Sequence, residues 1–169
     1  MEQENQGNNL SKKKLYMIMG GVVILLVGWS LIGGLGRSLT GVGVDKDNGG
    51  STTYSNNDGS VTVGGNKLPD NWPSDAPKYK NAQILSSVAS NPQTGEAGAV
   101  IAFSTSDSIQ TVIDFYKKEL ASNGWTVEQT IATETGTILV ATKDERDFSV
   151  YIGDSGDGKV GVTVSISTP

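Results

Sequence analysis

The sequence predicts an α+β protein: a small antiparallel sheet with one packed helix, carried behind a single N-terminal transmembrane helix. Three observations predict it. Residues 15–36 contain no charge, the stretch around 109–120 repeats apolar residues at helical spacing, and the other apolar runs are short and separated by turn residues. After the membrane segment, these patterns indicate the element order β-β-α-β-β-β-β in one domain.

Composition divides the chain into four segments. We expect a cytoplasmic N-terminal tail at 1–14, the transmembrane helix at 15–36, a flexible linker rich in Gly, Ser and Asn at 37–66, and an extracytoplasmic α+β domain at 67–169. A linker of this composition supplies few apolar side chains for a core. It is therefore predicted to act as a tether.

The uncharged run of 22 residues at 15–36 is the clearest signal in the chain. As a helix it extends about 33 Å at about 1.5 Å per residue, enough for a hydrocarbon core of about 30 Å. Three lysines at 12–14 precede it and Arg37 follows it, which predicts a cytoplasmic N-terminus. The lipid bilayer is thus the predicted partner of this segment, in a single-pass cell-membrane protein.

Other interpretations of this segment fit less well. A cleaved signal peptide has a shorter apolar core, and Gly34-Leu35-Gly36 matches its cleavage pattern poorly. A type IV pilin-like anchor needs a glutamate a few residues after a glycine, and this segment has none. Ser30-x-x-x-Gly34 has the small-residue spacing of helix pairs, but it leaves self-association unsupported, since Gly is common in membrane helices.

The predicted linker contains one candidate hairpin. It turns at Asn57-Asp58-Gly59, with Thr52–Tyr54 facing Val61–Val63. An isolated two-stranded hairpin is marginally stable in water, so this one would need to dock on the domain.

The domain begins with an irregular stretch, 68–77, that holds three prolines and Trp72. Proline restricts its own backbone and that of the residue before it, so this stretch is predicted to be extended. Trp72 is either a recognition residue at the surface or an anchor that holds the stretch on the domain. Together with Tyr79 it forms the candidate interaction surface of the sequence.

Apolar runs at 82–90 and 97–105 predict a hairpin around the loop 91–96. The helix follows, with Asp107 as the expected N-cap and Gln110 as its capping-box partner. Gly124 is expected to end it in the left-handed conformation. The stripe expected to face the core comprises Ile109, Val112, Ile113, Tyr116 and Leu120.

Four strands are predicted after the helix. Apolar residues alternate from Trp125 to Ile131, the run 138–141 is apolar on both faces, and alternation returns at Phe148–Ile152 and again from Val160 to Ile166. Short turns between these runs favour an antiparallel sheet.

Composition excludes several kinds of function. The chain has no His and no Cys, which excludes Ser-His-Asp and Cys-His catalysis, His or thiolate metal sites and disulfides. A net charge of −5 argues against a nucleic-acid partner, because phosphate-binding surfaces need clustered Lys and Arg. We therefore predict no catalytic, cofactor-binding or metal-binding residues, and no enzyme.

Two short motifs bear on that prediction. Gly153-Asp154-Ser155-Gly156 is similar to the segment around the serine of chymotrypsin-like proteases, but without His it is better explained as a turn. The segment 45–49 starts like a calcium loop, although its twelfth position is Asn56 instead of the required Glu. Asp154 and Asp157 also have the wrong spacing for calcium.

Residues Phe103 to Trp125 resemble a pattern of small bacterial exported or membrane-anchored proteins. The pattern is a strand ending in F-x-T-x-D-S, a helix with F-Y and L, and G-W opening the next strand. Upstream, D-A-P-K-Y-K-N-A at 75–82 is similar to D-x-P-x-Y-P-G-A, with Lys80 and Asn81 in place of Pro-Gly. The resemblance covers about 68–166; it implies fold and location and transfers no activity.

The function expected from these observations is that of an extracytoplasmic binding or interaction domain at the cell envelope, contacting a protein or ligand through its sheet face or loops. Two alternatives remain open: an envelope hydrolase that acts without His, and a structural subunit of a membrane assembly. A hydrolase would need polar groups converging in a concave site, whereas a docking module needs only a suitable surface.

Overall fold

The computed structural model describes residues 42–90, 97–156 and 158–167. The predicted tail and the predicted transmembrane helix lie outside these residues, as does the loop 91–96. In the part of the chain that is described, no helix combines the length and the apolar character needed to cross a bilayer. The elements are β1 Gly43–Lys46, β2 Thr52–Ser55, β3 Ser60–Val63, β4 Gln83–Ala89, β5 Gly98–Thr105, α1 Ile109–Ser122, β6 Thr126–Ala132, β7 Gly136–Lys143, β8 Arg146–Asp154 and β9 Val160–Ser167.

All nine described strands belong to one antiparallel sheet, in the order β1-β2-β3-β4-β5-β9-β8-β7-β6. The α+β class with one packed helix is confirmed, and so is the element order predicted for the domain, which corresponds to β4 through β9 with α1 after β5. The last strand enters the middle of the sheet between β5 and β8, so the two halves of the domain meet through β9.

The predicted linker is not a flexible tether over its described part. Residues 43–63 form β1, β2 and β3, which continue the sheet beyond β4. The hairpin prediction is confirmed in its register, with Thr52 opposite Val63 and Tyr54 opposite Val61. Composition alone did not predict these strands, because strand pairing satisfies backbone hydrogen bonds without requiring an apolar core. Strand β3 pairs with β4, so the three strands extend the sheet.

Helix α1 begins one residue later than predicted. Ser108 is the N-cap, and its hydroxyl accepts the Thr111 N–H. Asp107 instead accepts hydrogen bonds from two side chains of the segment that precedes β4. Gln110 donates to Asp114, so the predicted capping box does not form. The end of the helix is as predicted, because Gly124 has a φ of 79° and the Trp125 N–H donates to the Leu120 carbonyl.

The core lies between α1, the segment 68–82 and one face of the sheet. Four residues of the predicted helix stripe are buried there, and Ile109 is partly buried against the same core. Aromatic rings fill much of the space; Tyr79 stacks on Phe103, and Trp125 meets Phe148 edge to face. This helix-covered face is called the inner face below, and the opposite one the outer face.

Candidate interaction surface

The strand register shows which side chains share a face across the sheet. Residues directly opposite one another in an antiparallel pair point to the same side. Starting from Ile101, which is buried under the helix, the pairs define one inner row that crosses the sheet: Asp45, Thr53, Thr62, Ser87, Ile101, Val164, Val150, Leu139 and Thr130.

The inner row changes character between β4 and β5. Its four members on β1 to β4 are polar, and the Thr53 and Thr62 hydroxyls are hydrogen-bonded at 2.9 Å. From β5 onward it is apolar until the last strand, and Val164, Val150 and Leu139 are fully buried. The inner face is thus a core face only where the helix-bearing part of the domain covers it.

The neighbouring row on the outer face has the reverse pattern. Its members on β1 to β5 are all apolar and lie directly opposite one another in succession; beyond β5 it continues with Ser165 and Ser149. We call its apolar part the outer apolar row. It consists of Val44, Tyr54, Val61, Val88 and Val100.

The outer apolar row is most accessible at the edge of the sheet. Val88 is only 5% exposed, Val61 and Tyr54 are half-buried, and Val44 on the edge strand is 57% exposed. Lys46 is the single charged side chain on the outer face of the described strands β1 to β5. An uncharged apolar row beside one cation is a surface suited to contact with another body.

The structure places Trp72 and Tyr79, the residues singled out from the sequence, away from this row. Trp72 is half-buried against the core, and its indole N–H donates to the Ala76 carbonyl at 3.2 Å. It therefore anchors the segment 68–77, the second of the two interpretations of this residue. Tyr79 is 4% exposed, so it contributes packing and leaves almost no area for a contact surface.

Tyr79 also makes a polar contact at the start of the helix. Its hydroxyl donates to an Asp107 carboxylate oxygen at 2.6 Å, and the Asn81 side chain donates to the same oxygen at 2.9 Å. Burial first, and then this bond to the carboxylate, raises the pKa of Tyr79 well above its usual value. The two hydrogen bonds lower the pKa of Asp107.

A second polar cluster joins the segment 68–82 to the β7–β8 turn. Asp75 accepts two hydrogen bonds from the Arg146 guanidinium, at 2.7 and 2.9 Å, and one from Lys143 at 2.6 Å. The Arg146 guanidinium in turn lies 4.8 Å from the centre of the Trp125 ring. Bonding to Arg146 holds the pKa of Asp75 far below its usual range. Because all these groups have protein partners, the cluster acts as a structural lock.

The Tyr116 hydroxyl is the exception among the buried aromatic groups. Its side chain extends from α1 into the core, where the hydroxyl is fully buried and finds no hydrogen-bond partner among the described residues. Burial raises the pKa of Tyr116 strongly, so the phenol stays protonated throughout the neutral range. An unpaired hydroxyl in a core carries a free-energy cost, which makes this residue a sensitive probe of packing.

The acidic segments that resemble calcium loops serve as turns. One Asp47 carboxylate oxygen accepts the Gly49 and Ser51 N–H groups and the other pairs with Lys67, which lowers the pKa of Asp47. Asp154 accepts the Gly156 N–H in its loop, as a turn-forming Asp does. Among the described residues, no group of three or more carboxylates is placed to hold a metal ion.

Sequence reasoning missed the outer apolar row. The signal was present in the alternation of Tyr54 with threonine and serine and of Val61 and Val63 with Ser60 and Thr62. The surrounding glycines and asparagines hid it, since they lowered the average hydrophobicity of the whole segment.

A comparison with known families separates β1 to β3 from the rest of the sheet. A family model described as START domain-like matches residues 85–169, about half of the chain. No curated protein and no solved structure matches the chain. The matched part runs from within β4 through β9 and includes α1; β1 to β3 and the segment 68–82 precede it. The chain belongs to the START domain-like family.

Proposed function

We propose that this chain is a single-pass membrane protein whose START-like domain lies outside the cytoplasm and serves as a binding module at the cell envelope. Its contact surface is the outer apolar row. The alternating apolar pattern of β1 to β3 is the observation that carries the proposal, because these strands direct their apolar side chains away from the core.

The proposed contact surface is recognised by the face on which its apolar side chains lie. In a sheet that is covered on one face, strands place apolar residues toward the cover and polar residues toward water. Strands β1 to β3 do the opposite: Thr53 and Thr62 lie on the inner face, while Tyr54 and Val61 lie on the outer one. Their apolar side chains remain partly accessible and are available to another body.

The proposed location follows from the N-terminal sequence. The uncharged run 15–36 is long enough to span a bilayer, and the lysines at 12–14 favour a cytoplasmic N-terminus. The domain then follows on the opposite side of the membrane. Strand β1 starts at Gly43, only seven positions after Gly36, so the domain is held close to the membrane.

Cysteine labelling tests the location directly, since the chain has no native Cys. Asn57 lies exposed in the β2–β3 turn, so an Asn57→Cys variant offers an accessible thiol. In intact cells, a membrane-impermeant maleimide is expected to label Asn57→Cys and to leave a matched Gln6→Cys variant unlabelled until lysis. The reverse pattern, or labelling of both variants only after lysis, would refute the proposed topology.

A further inference from the structure

We infer that the outer apolar row rests on the outer surface of the same bilayer in which the chain is anchored. This inference depends on the proposed function, and it names the occupant of the contact surface as lipid. Three observations support it: where the chain enters the sheet, the chemistry of the row, and the small size of the row.

The chain enters the sheet at the accessible end of the row. Val44 lies eight positions after Gly36, the last residue of the predicted span, and eight extended residues reach at most about 28 Å. Val44 is the most exposed member of the row. The five strands that carry the row extend about 19 Å across the sheet at about 4.8 Å per strand. Most of the row therefore lies within reach of the membrane surface.

The chemistry of the row suits the boundary between lipid and water. Tyr54 provides an aromatic ring with a polar tip, the kind of side chain enriched at membrane interfaces. Lys46 lies on the same face, where it would meet anionic headgroups.

Asp45 and Asp47, the acidic residues on either side of Lys46, add no uncompensated charge to the outer face. Asp45 lies on the inner face of β1, opposite Thr53. The Asp47 carboxylate is bonded to Lys67 and to backbone N–H groups, so its charge is locally compensated. A lipid surface would thus meet apolar, aromatic and cationic side chains on this face.

The size of the row favours lipid over a second copy of the chain. A stable protein interface buries about 800 Å² on each partner. The row has five residues, of which Val88 is almost fully buried and only Val44 is more than half exposed, so it offers much less area than that. A domain already tethered to the bilayer needs only a small patch to rest on it, because the tether keeps the local concentration of lipid high.

Fluorescence quenching by lipid tests the inference on the full chain. Val44→Cys and Asp45→Cys place the same dye on opposite faces of one exposed strand. The labelled proteins are reconstituted in vesicles of phosphatidylcholine and phosphatidylglycerol that carry a nitroxide-labelled lipid. We expect quenching at Val44→Cys to exceed quenching at Asp45→Cys severalfold. Equal quenching at the two positions would overturn the inference.

A charge reversal provides an independent test. Lys46→Glu puts an acid on the outer face, whereas Lys118→Glu makes the same change on an exposed turn of α1. In vesicles containing phosphatidylglycerol, Lys46→Glu should reduce quenching of the dye at position 44, and Lys118→Glu should leave it unchanged. Equal effects of both variants would show that only net charge matters and would count against a contact at this face.

The outcomes separate this inference from the proposed function. If the protein does not float with the vesicles in a density gradient, the membrane anchor itself is wrong. If it floats but Val44→Cys is unquenched, only the lipid contact is refuted. Disulfide crosslinking between copies of Val44→Cys, together with absent quenching, would assign the row to a second copy instead.

Discussion

The two ends of this sheet place their apolar side chains on opposite faces. In β9, β8 and β7 the inner row is apolar, and its members Val164, Val150 and Leu139 are buried in the core that the sheet forms with α1. In β1, β2 and β3 the inner row is polar, and the apolar side chains Val44, Tyr54 and Val61 face outward. The sheet is continuous through both parts, so hydrogen-bonded pairing does not decide which face is apolar.

Each part of the sheet is therefore patterned for what covers it. In the part of the sheet formed by β5, β9, β8 and β7, the inner face is covered by α1 and by the segment 68–82. The hydrogen bonds between Asp75 and Arg146 hold this segment in place. Strands β1 to β3 are also apolar on one face, the outer one, but the described residues leave that face partly exposed.

The largest effect is expected from truncating the inner row under the helix. Leu139→Ala removes a fully buried side chain and should lower the free energy of unfolding by about 3 kcal/mol. Val63→Ala on the outer face of β3 is the control, since that residue is half-buried and outside the core, and its effect should be less than half as large. Urea unfolding of the full chain in detergent measures both. Equal losses would mean that the two parts of the sheet do not differ as described.

The lock at Asp75 should rank second. Asp75→Asn leaves Arg146 and Lys143 without their common carboxylate and should cost about 2 kcal/mol in the same assay. Asp144→Asn is the control, because Asp144 is exposed and lies 3.8 Å from the same guanidinium. A loss at Asp144 as large as at Asp75 would contradict the assignment of the lock.

The same lock predicts an acid limb in the stability profile. Because the folded-state pKa of Asp75 is lowered, its contribution is complete above the unfolded pKa of about 3.9 and is lost as the pH falls toward the folded pKa. The wild type should therefore lose stability relative to Asp75→Asn as the pH falls below about 4. Parallel profiles for the two proteins from neutral pH to pH 2 would refute this cause.

The two buried tyrosines should respond differently to loss of the hydroxyl. Tyr79→Phe removes a hydrogen bond to a carboxylate and should cost about 1 kcal/mol. Tyr116→Phe removes an unpaired buried hydroxyl, so stability should be unchanged or rise by up to about 1 kcal/mol. Thermal unfolding compares them, and a loss at Tyr116 equal to that at Tyr79 would show that its hydroxyl is paired.

The smallest effect on stability is expected in the outer apolar row. Tyr54→Ser should change the free energy of unfolding by at most about 0.5 kcal/mol, because the side chain is only half-buried. It should nevertheless reduce the lipid quenching of a dye at position 44. A stability loss of the size predicted for Leu139→Ala would indicate that the row is part of a core.

The elements of the START-like part were predictable from local pattern. The stripe from Val112 to Leu120, the turn at Gly124 and the alternation from Val160 to Ile166 each arise from neighbours within a few positions in the chain. The N-cap was misassigned because Asp107 and Ser108 are both good caps, and only tertiary contacts decide between them. Tyr79 and Asn81, from the preceding segment, bind Asp107 and leave Ser108 to cap the helix.

The candidate surface could not be predicted in the same way. It depends on β3 pairing with β4, a contact between residues more than twenty positions apart, for example Val61 with Val88. Without that pairing, residues 43–63 have no reason to be ordered, and composition then favours a coil. The sequence suggested Trp72 as a contact residue because it is a large aromatic residue in an irregular stretch, yet it packs against the core.

The membrane contact is tested most directly on two adjacent residues of β2, Tyr54 on the outer face and Ser55 on the inner face. Tyr54→Cys and Ser55→Cys in the full chain are reacted with a water-soluble maleimide, first in vesicles and then after detergent removes the bilayer. We expect Tyr54→Cys to react severalfold more slowly in vesicles than in detergent, while Ser55→Cys reacts equally in both. If Tyr54→Cys reacts equally fast in both, the outer apolar row is not covered by the membrane.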